Sequence, residues 1–241
     1  MKTFRYLAVA AVALMATSES KAQDKVEGSA GIDIVSQYIW RGQDLGNVSV
    51  QPGLGISWKG LSLSAWGSVG LTSASDTKEI DLTLGYSVGG FNVGIIDYWF
   101  NQDGQDARNR YFIYKSHKTN HVFEGNIGYD FGFLNIQWFT NFAGNDGANS
   151  KGKRAYSSYI ELSAPFKFVT CDWTATVGAV PYATSFYDAS GFAITNVGLK
   201  AQKSFEVGKK LDIPVYLGIT ANPRSQKAYF YAGFAIQPKF L

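Results

Sequence analysis

The sequence is poor in the residues that build disulfide scaffolds and many catalytic centres. Among its 241 residues there is a single cysteine, Cys171, and there are two histidines, His117 and His121. One cysteine cannot form an intramolecular disulfide, so a disulfide scaffold is excluded. No G-x-S-x-G motif occurs, and both histidines lie at the edge of a polar break. The sequence therefore offers little for nucleophilic catalysis.

Long hydrophobic runs are also scarce. The longest, Tyr6 to Ala16, is shorter than the roughly 20 residues that a membrane-spanning helix needs. It follows a basic start and precedes a small-x-small cleavage site that ends at Ala22, which is the order of a secretory signal peptide. We therefore expect residues 1–22 to be a signal peptide and residues 23–241 to form one domain. Cleavage lowers the formal net charge from +3 to +1, which gives no indication of nucleic-acid binding.

Glycine and aromatic residues are abundant, with 26 Gly, 14 Tyr, 17 Phe and 6 Trp, and this composition favours strands and turns. In Lys78 to Phe100, apolar and polar residues alternate on both sides of Gly89-Gly90. A period of two places one set on each face of a strand, and the two glycines suit a hairpin turn. The first strand carries Glu79 and Asp81 on its polar face, so that face cannot pack against a dry core.

The same alternation recurs in twelve predicted strands. The connections after the first strand are alternately long and short, except for the last two, which are of moderate length. Outer-membrane barrels have an even number of antiparallel strands, with short turns at the periplasmic end and longer loops outside. We therefore predict an all-β protein, a twelve-stranded antiparallel transmembrane β-barrel whose last strand pairs with its first, because lipid tolerates no open sheet edge. A soluble secreted β protein, the alternative, predicts neither the loop asymmetry nor a polar interior.

Several local expectations follow from the pattern. The first strand is predicted over Gly31 to Trp40, and a turn over Pro165 to Lys167. Asn101 to Asn120 is the longest break. Aromatic residues near strand ends are expected to form the interfacial girdles of a barrel, namely Trp40, Trp58, Tyr86, Trp138 and Phe234.

Four segments carry a family resemblance, and they occur in the order Ser36-Gln37-Tyr38-Ile39-Trp40-Arg41-Gly42, Ala65-Trp66-Gly67-Ser68, Glu79-Ile80-Asp81-Leu82 with Gly85-Tyr86, and Asp97-Tyr98-Trp99. They resemble the pattern of an uncharacterised family of Gram-negative bacterial proteins, Gcw_chp. The resemblance implies a porin-like outer-membrane β-barrel of unassigned function, and it supplies no catalytic residues. The penultimate Phe240 nearly matches the phenylalanine ending that the barrel assembly machinery reads, so this machinery is an expected partner.

The polar faces converge on a lumen if the barrel closes. The residues expected to line it are Asp33, Arg41, Trp66, Glu79, Asp81, Glu124, Glu161, Asp172, Lys200, Lys227, Tyr229 and Tyr231, with Tyr159 beside them. These side chains could line a narrow passive channel for small polar solutes, or they could pair with one another and fill the interior. Twelve strands lie between the filled eight-stranded barrel and the open sixteen-stranded one.

Two other functions are less favoured by the residues. A closed barrel could act through its outer loops, whose Lys and Arg side chains are expected to contact outer-membrane lipid and lipopolysaccharide. A lipid-modifying hydrolase would need a nucleophile beside an oriented base. His117 and His121 would suggest a metal site only on a helix, which this stretch does not favour. We expect no enzyme activity, no cofactor and no metal.

Membrane insertion gives the first testable prediction. The folded protein is expected to require detergent for solubility and to migrate differently on gels before and after heating, because a closed barrel resists unfolding until it is heated. Migration of unheated and heated samples measures this directly. A protein that stays soluble without detergent would contradict the barrel.

Overall fold

The structure, a computed structural model, describes residues 25–73, 75–102, 104–115 and 118–239. The predicted signal peptide, His117 and Phe240 lie outside these ranges. The described residues form fourteen strands: β1 (Glu27–Val35), β2 (Tyr38–Trp40), β3 (Gln43–Gly46), β4 (Ser49–Trp58), β5 (Leu61–Gly70), β6 (Lys78–Val88), β7 (Phe91–Asn101), β8 (His121–Asp130), β9 (Asn135–Gly144), β10 (Ser158–Phe168), β11 (Cys171–Val180), β12 (Ala193–Val207), β13 (Leu211–Asn222) and β14 (Lys227–Pro238).

Twelve of these strands, β1 and β4 to β14, close into one antiparallel barrel in which each strand pairs with its neighbours in the chain. The seam joins β1 to β14, from Ile32 opposite Ile236 to Val35 opposite Gly233. The backbone N–H of Ser36 extends the seam by donating to the carbonyl of Ala232 at 2.8 Å. The predicted twelve-stranded barrel is therefore confirmed.

The connections differ at the two ends of the barrel. Short turns at 59–60, 89–90, 131–134, 169–170 and 208–210 lie at one end, together with the start of β1 and the end of β14. The other end carries the longer segments 36–48, 71–77, 102–120, 145–157 and 181–192, and the loop 223–226. Among the described residues, no helix is long and apolar enough to cross a membrane.

The two faces of each strand differ as the alternation predicts. On β6, Leu82 and Leu84 are exposed on the outer wall, whereas Glu79 and Asp81 are buried on the inner side. The predicted girdle residues Trp58, Tyr86, Trp138 and Phe234 are exposed on the outer wall. Trp40 is the exception, because it is buried, and its prediction as a girdle residue was wrong.

The first strand is shorter than predicted and begins earlier. β1 ends at Val35, and the chain then forms the separate hairpin β2–β3 inside the barrel. Alternating residues in Tyr38 to Trp40 look like a continuation of β1, but a period of two does not distinguish a lipid-facing strand from a buried one.

The predicted turn at Pro165 to Lys167 was also wrong, since β10 continues to Phe168 and the turn lies at Val169 and Thr170. The pairing of β9 with β10 ends at Ser163. Pro165 therefore has no β9 neighbour that would need a backbone N–H, and proline is tolerated at such unpaired positions.

The orientation of β6 predicts a depth-dependent response to charge. Leu82→Arg places a cation near the middle of the lipid-facing wall and is expected to lower the free energy of unfolding by about 2–4 kcal/mol. Val88→Arg, on the same face at the short-turn end, is the matched control and should cost about 0–1 kcal/mol. Denaturant unfolding in lipid vesicles measures both, and equal effects would contradict the assigned wall.

Candidate functional site

The β2–β3 hairpin enters the lumen through a two-residue turn formed by Arg41 and Gly42. Both residues have positive φ, 50° and 77°, the combination that such a turn requires. A Cβ atom at position 42 would overlap the carbonyl oxygen of Thr195 on β12. Asn222 on β13 donates to the carbonyl of Gly42 at 3.0 Å. The turn is therefore held against the β12–β13 wall, where only glycine fits.

Arg41 crosses to the opposite wall and forms a bidentate ion pair with Glu124 on β8. Its Nη1 and Nη2 donate to the two carboxylate oxygens at 2.6 and 2.8 Å. Tyr98 donates to Glu124 at 2.9 Å, and Arg41 donates to the hydroxyl of Tyr187 at 2.6 Å. Both charged side chains are almost fully buried, so the pair satisfies groups that would be costly to leave alone.

Aromatic rings surround the Arg41 guanidinium. Its Cζ lies 4.4, 4.0 and 4.8 Å from the ring centroids of Trp40, Phe139 and Tyr159, which is the range of cation–π attraction. Burial alone would lower the pKa of Arg41, but the Glu124 carboxylate outweighs it and raises that pKa above its usual value. The guanidinium is therefore a permanent cation in the lumen.

A second inward element completes this packing. The short 3₁₀ helix Ser185–Tyr187, in the loop between β11 and β12, stacks Tyr187 on Trp40 at 6.0 Å and on Tyr159 at 5.8 Å. Burial raises the pKa of Tyr187 despite the nearby Arg41, so the phenol stays neutral. The 3₁₀ helix and the β2–β3 hairpin together fill the lumen beside β7 to β10.

The base of the hairpin contacts the carboxylates of β6. Tyr38 donates to Glu79 at 3.0 Å and packs on Trp66 with ring centroids 5.6 Å apart. Burial and the neighbouring Glu79 raise the pKa of Tyr38. Asp81 is buried beside Glu79, and the two carboxyl groups interact with each other. The base of the hairpin therefore lies against a pair of buried acidic groups.

The lumen is less completely filled beside β10 to β14. A cavity of about 90 Å³ lies there under Arg41 and Gly42, and polar groups line it, among them Glu161, Thr174, Asn196, Lys200, Thr220 and Tyr231. The Lys200 amino group is buried without a hydrogen-bond partner in the described part of the chain, and it lies 4.4 Å from the ring centroid of Tyr216.

Glycines on the inner wall make room for this arrangement. The ring of Tyr231 occupies the space that a side chain at Gly218 would need, and Tyr159 and Tyr216 do the same over Gly178 and Gly233. The glycines therefore let these three tyrosine rings lie close against the inner wall.

The family follows from comparison with known families. The model of the Gcw_chp family, described as a bacterial protein of unknown function, matches residues 19–231. The chain belongs to the Gcw_chp family. No curated protein matches it.

Solved structures show the fold of this Gcw_chp protein. The KdgM porin in complex with disordered oligogalacturonate aligns with a TM-score of 0.50 at 9% identity, over 88% of this chain and 99% of that one. Another KdgM porin structure gives 0.49 at 10% identity over the same shares. The COG4313 outer membrane channel from Pseudomonas putida F1 gives 0.43 at 11% identity, over 92% and 100%. The Gcw_chp chain thus has a porin-like β-barrel fold.

The structure brings together some of the predicted lumen residues and separates others. Arg41 pairs with Glu124, and the hairpin connects them to Trp66, Glu79 and Asp81 as described above. Lys200 on β12 and Asp33 on β1 are close enough to interact electrostatically. Three residues are placed near the rims. Asp172 pairs with Lys167 at 2.9 Å beside the short turn, Lys227 is exposed at the long-loop end, and Tyr229 is half-buried near it.

His121 lies on the outer wall rather than in the lumen. Its Nδ1 is 2.7 Å from Asp97 Oδ1, and its Nε2 is 2.6 Å from the carbonyl oxygen of Tyr111. Both partner atoms accept hydrogen bonds, so neither ring nitrogen is left to activate a nucleophile. Within the described ranges, no group of three metal-ligating side chains is close enough to hold a metal ion.

Sequence reasoning missed the residues that anchor the hairpin from distant strands, namely Tyr98, Tyr187, Thr195 and Asn222. The sequence carries one signal for the hairpin, because Gly42 in the Arg41-Gly42 dipeptide is a residue that two-residue hairpin turns favour. Arginine is not a usual residue with positive φ, which weakens that signal.

The buried ion pair gives a prediction about stability. Glu124→Ala leaves Arg41 buried without its counter-ion and is expected to lower the free energy of unfolding by about 3–5 kcal/mol. The double variant Arg41→Met/Glu124→Leu should recover most of this loss, because it removes both charges. The exposed pair is the control, since Lys167→Ala should cost only about 0–1 kcal/mol. Denaturant unfolding in vesicles gives all three values, and a similar loss in every variant would contradict the assignment.

Proposed function

We propose that this barrel is a narrow porin-like channel for small polar solutes, constricted by the β2–β3 hairpin. The observation that carries the proposal is the uneven filling of the lumen. The hairpin and the 3₁₀ helix pack tightly against β7 to β10, whereas a polar cavity remains beside β10 to β14. Solutes would pass along the cavity side, and only small ones fit.

The chemistry of the cavity supports polar solutes. Hydroxyl groups of Thr174 and Thr220, the amide of Asn196 and the Lys200 amino group face the same space. A passing solute could exchange its water contacts for these groups, which lowers the cost of dehydration in a narrow passage. An apolar solute would gain no such compensation.

The hairpin is suited to act as the constriction because it is held inside the lumen at both of its ends. Arg41 and Gly42 contact β8, β12 and β13, whereas Tyr38 contacts β5 and β6. Loss of the Arg41 contacts would release the turn from β8, while the barrel wall stays paired. Passage is therefore expected to depend on the turn.

A closed barrel that binds partners through its long loops is the second candidate. The dense packing of Tyr98, Tyr159 and Arg41, all buried, favours it. A lipid-modifying hydrolase is not favoured, because both nitrogens of His121 are engaged. The assembly machinery remains an expected partner on sequence grounds alone.

Conductance tests the channel. Purified protein in planar bilayers is expected to give small unitary currents, and Arg41→Ala should enlarge them, because the turn loses its anchor to Glu124. Single-channel recording at several voltages measures the change. Heat-modifiable migration confirms that each variant is folded.

The exposed Lys209→Ala, in the short turn at the other end of the barrel, serves as the control and should leave the unitary current unchanged. Folded wild-type protein and folded Arg41→Ala that both fail to conduct would exclude the channel and favour the closed barrel.

A further inference from the structure

The described part of the longest connection packs against the outside of the barrel. Residues 104–115, here called the strap, lie between β7 and β8. Tyr111 of the strap packs edge-on against Trp99 and His121, with ring centroids 5.4 and 5.1 Å apart. Tyr114 stacks on His121 at 4.4 Å. Trp99 and His121 share the face of their strands that elsewhere is the apolar outer wall, so the strap lies on that wall.

A buried polar pair holds the strap in place. Asp97 and His121 lie on the outer wall and contact each other, and His121 also contacts the backbone of Tyr111. His121 is fully buried under the strap. Such a pair would be costly in direct contact with lipid. The strap covers the pair, and the contact between His121 and the Tyr111 backbone holds the strap on the outer wall.

The outer surface of the strap combines aromatic rings with positive charge. Phe112 is 85% exposed and Tyr114 is 51% exposed. The basic residues nearby are all exposed, and they are Arg108, Arg110, Lys115 and Lys118. Between residues 102 and 120 the sequence has only two acidic residues, Asp103 and Asp106. The ring of Tyr114 contacts Phe123, and Phe123 contacts Phe142 on the outer wall. The aromatic surface of the strap is therefore continuous with the lipid-facing band.

We propose that the strap binds a phosphate-bearing lipid in the leaflet that surrounds the long-loop end of the barrel. Arg110 and Lys115 meet the lipid phosphates, since clustered basic residues attract anionic headgroups. Phe112 and Tyr114 lie among the upper parts of the acyl chains, where aromatic rings are favoured. This binding is independent of whether the lumen conducts.

Native mass spectrometry of the full-length folded protein in a neutral detergent tests the proposal, with lipid A as the probe and phosphatidylcholine as the comparison lipid. Wild-type protein is expected to retain lipid A preferentially. Arg110→Gln/Lys115→Gln should weaken lipid A binding about 25-fold, since each of the two basic residues near an anionic lipid contributes about fivefold. Phe112→Ser should weaken retention of lipid A without any change in charge.

Matched controls lie at the opposite end of the barrel. Lys209→Gln/Lys210→Gln removes the same charge from an exposed turn, and Phe133→Ser removes an exposed aromatic ring; both should bind lipid A as wild type does. Heat-modifiable migration verifies folding of every variant. Equal lipid A affinity in the strap variants and wild type, or equal losses in the controls, would overturn the proposal. A two-chain mass that Phe112→Ser abolishes, with lipid A binding unchanged, would overturn it in favour of self-association.

Discussion

Backbone pairing at the β1–β14 seam is the constraint on which the rest of this structure depends. In hydrocarbon each backbone N–H and C=O needs a partner within the protein, and the seam from Ile32 to Val35 provides it for the first and last strands. Closure then forces the polar face of every strand into one enclosed space. The carboxylates of β6 and β8 thereby become inner groups that need partners.

The internal hairpin supplies those partners. Arg41 neutralises Glu124, and Tyr38 donates to Glu79. Holding Arg41 at positive φ has a cost in backbone strain, which the ion pair, three aromatic rings and the contacts of Gly42 offset. The same contacts fill one side of the lumen, and a polar cavity remains on the other side. One element therefore both supports the barrel wall and shapes the interior.

The outer wall also carries polar groups that need a cover. Asp97 and His121 are polar groups on a face that should be apolar, and the strap covers them with Tyr111 and Tyr114. Covering the pair places exposed rings and basic side chains on the outside of the barrel. Asp97 and His121 depart from the apolar pattern of the outer face, and this departure marks the strap as a second candidate surface, separate from the lumen.

The sequence by itself determined the strand number, the outer and inner faces and the asymmetry of the connections, because these depend on a period of two and on turn residues close in the chain. It also identified Arg41, Glu79, Asp81 and Glu124 as inward polar residues. It did not determine their partners. Arg41 meets Glu124 across 83 residues, and Gly42 meets Asn222 across 180, so only closure of the barrel brings them together. Tyr38 to Trp40 alternates as a wall strand would, and only the crowded lumen, with Thr195 against Gly42, decided that this stretch leaves the wall and fills the interior.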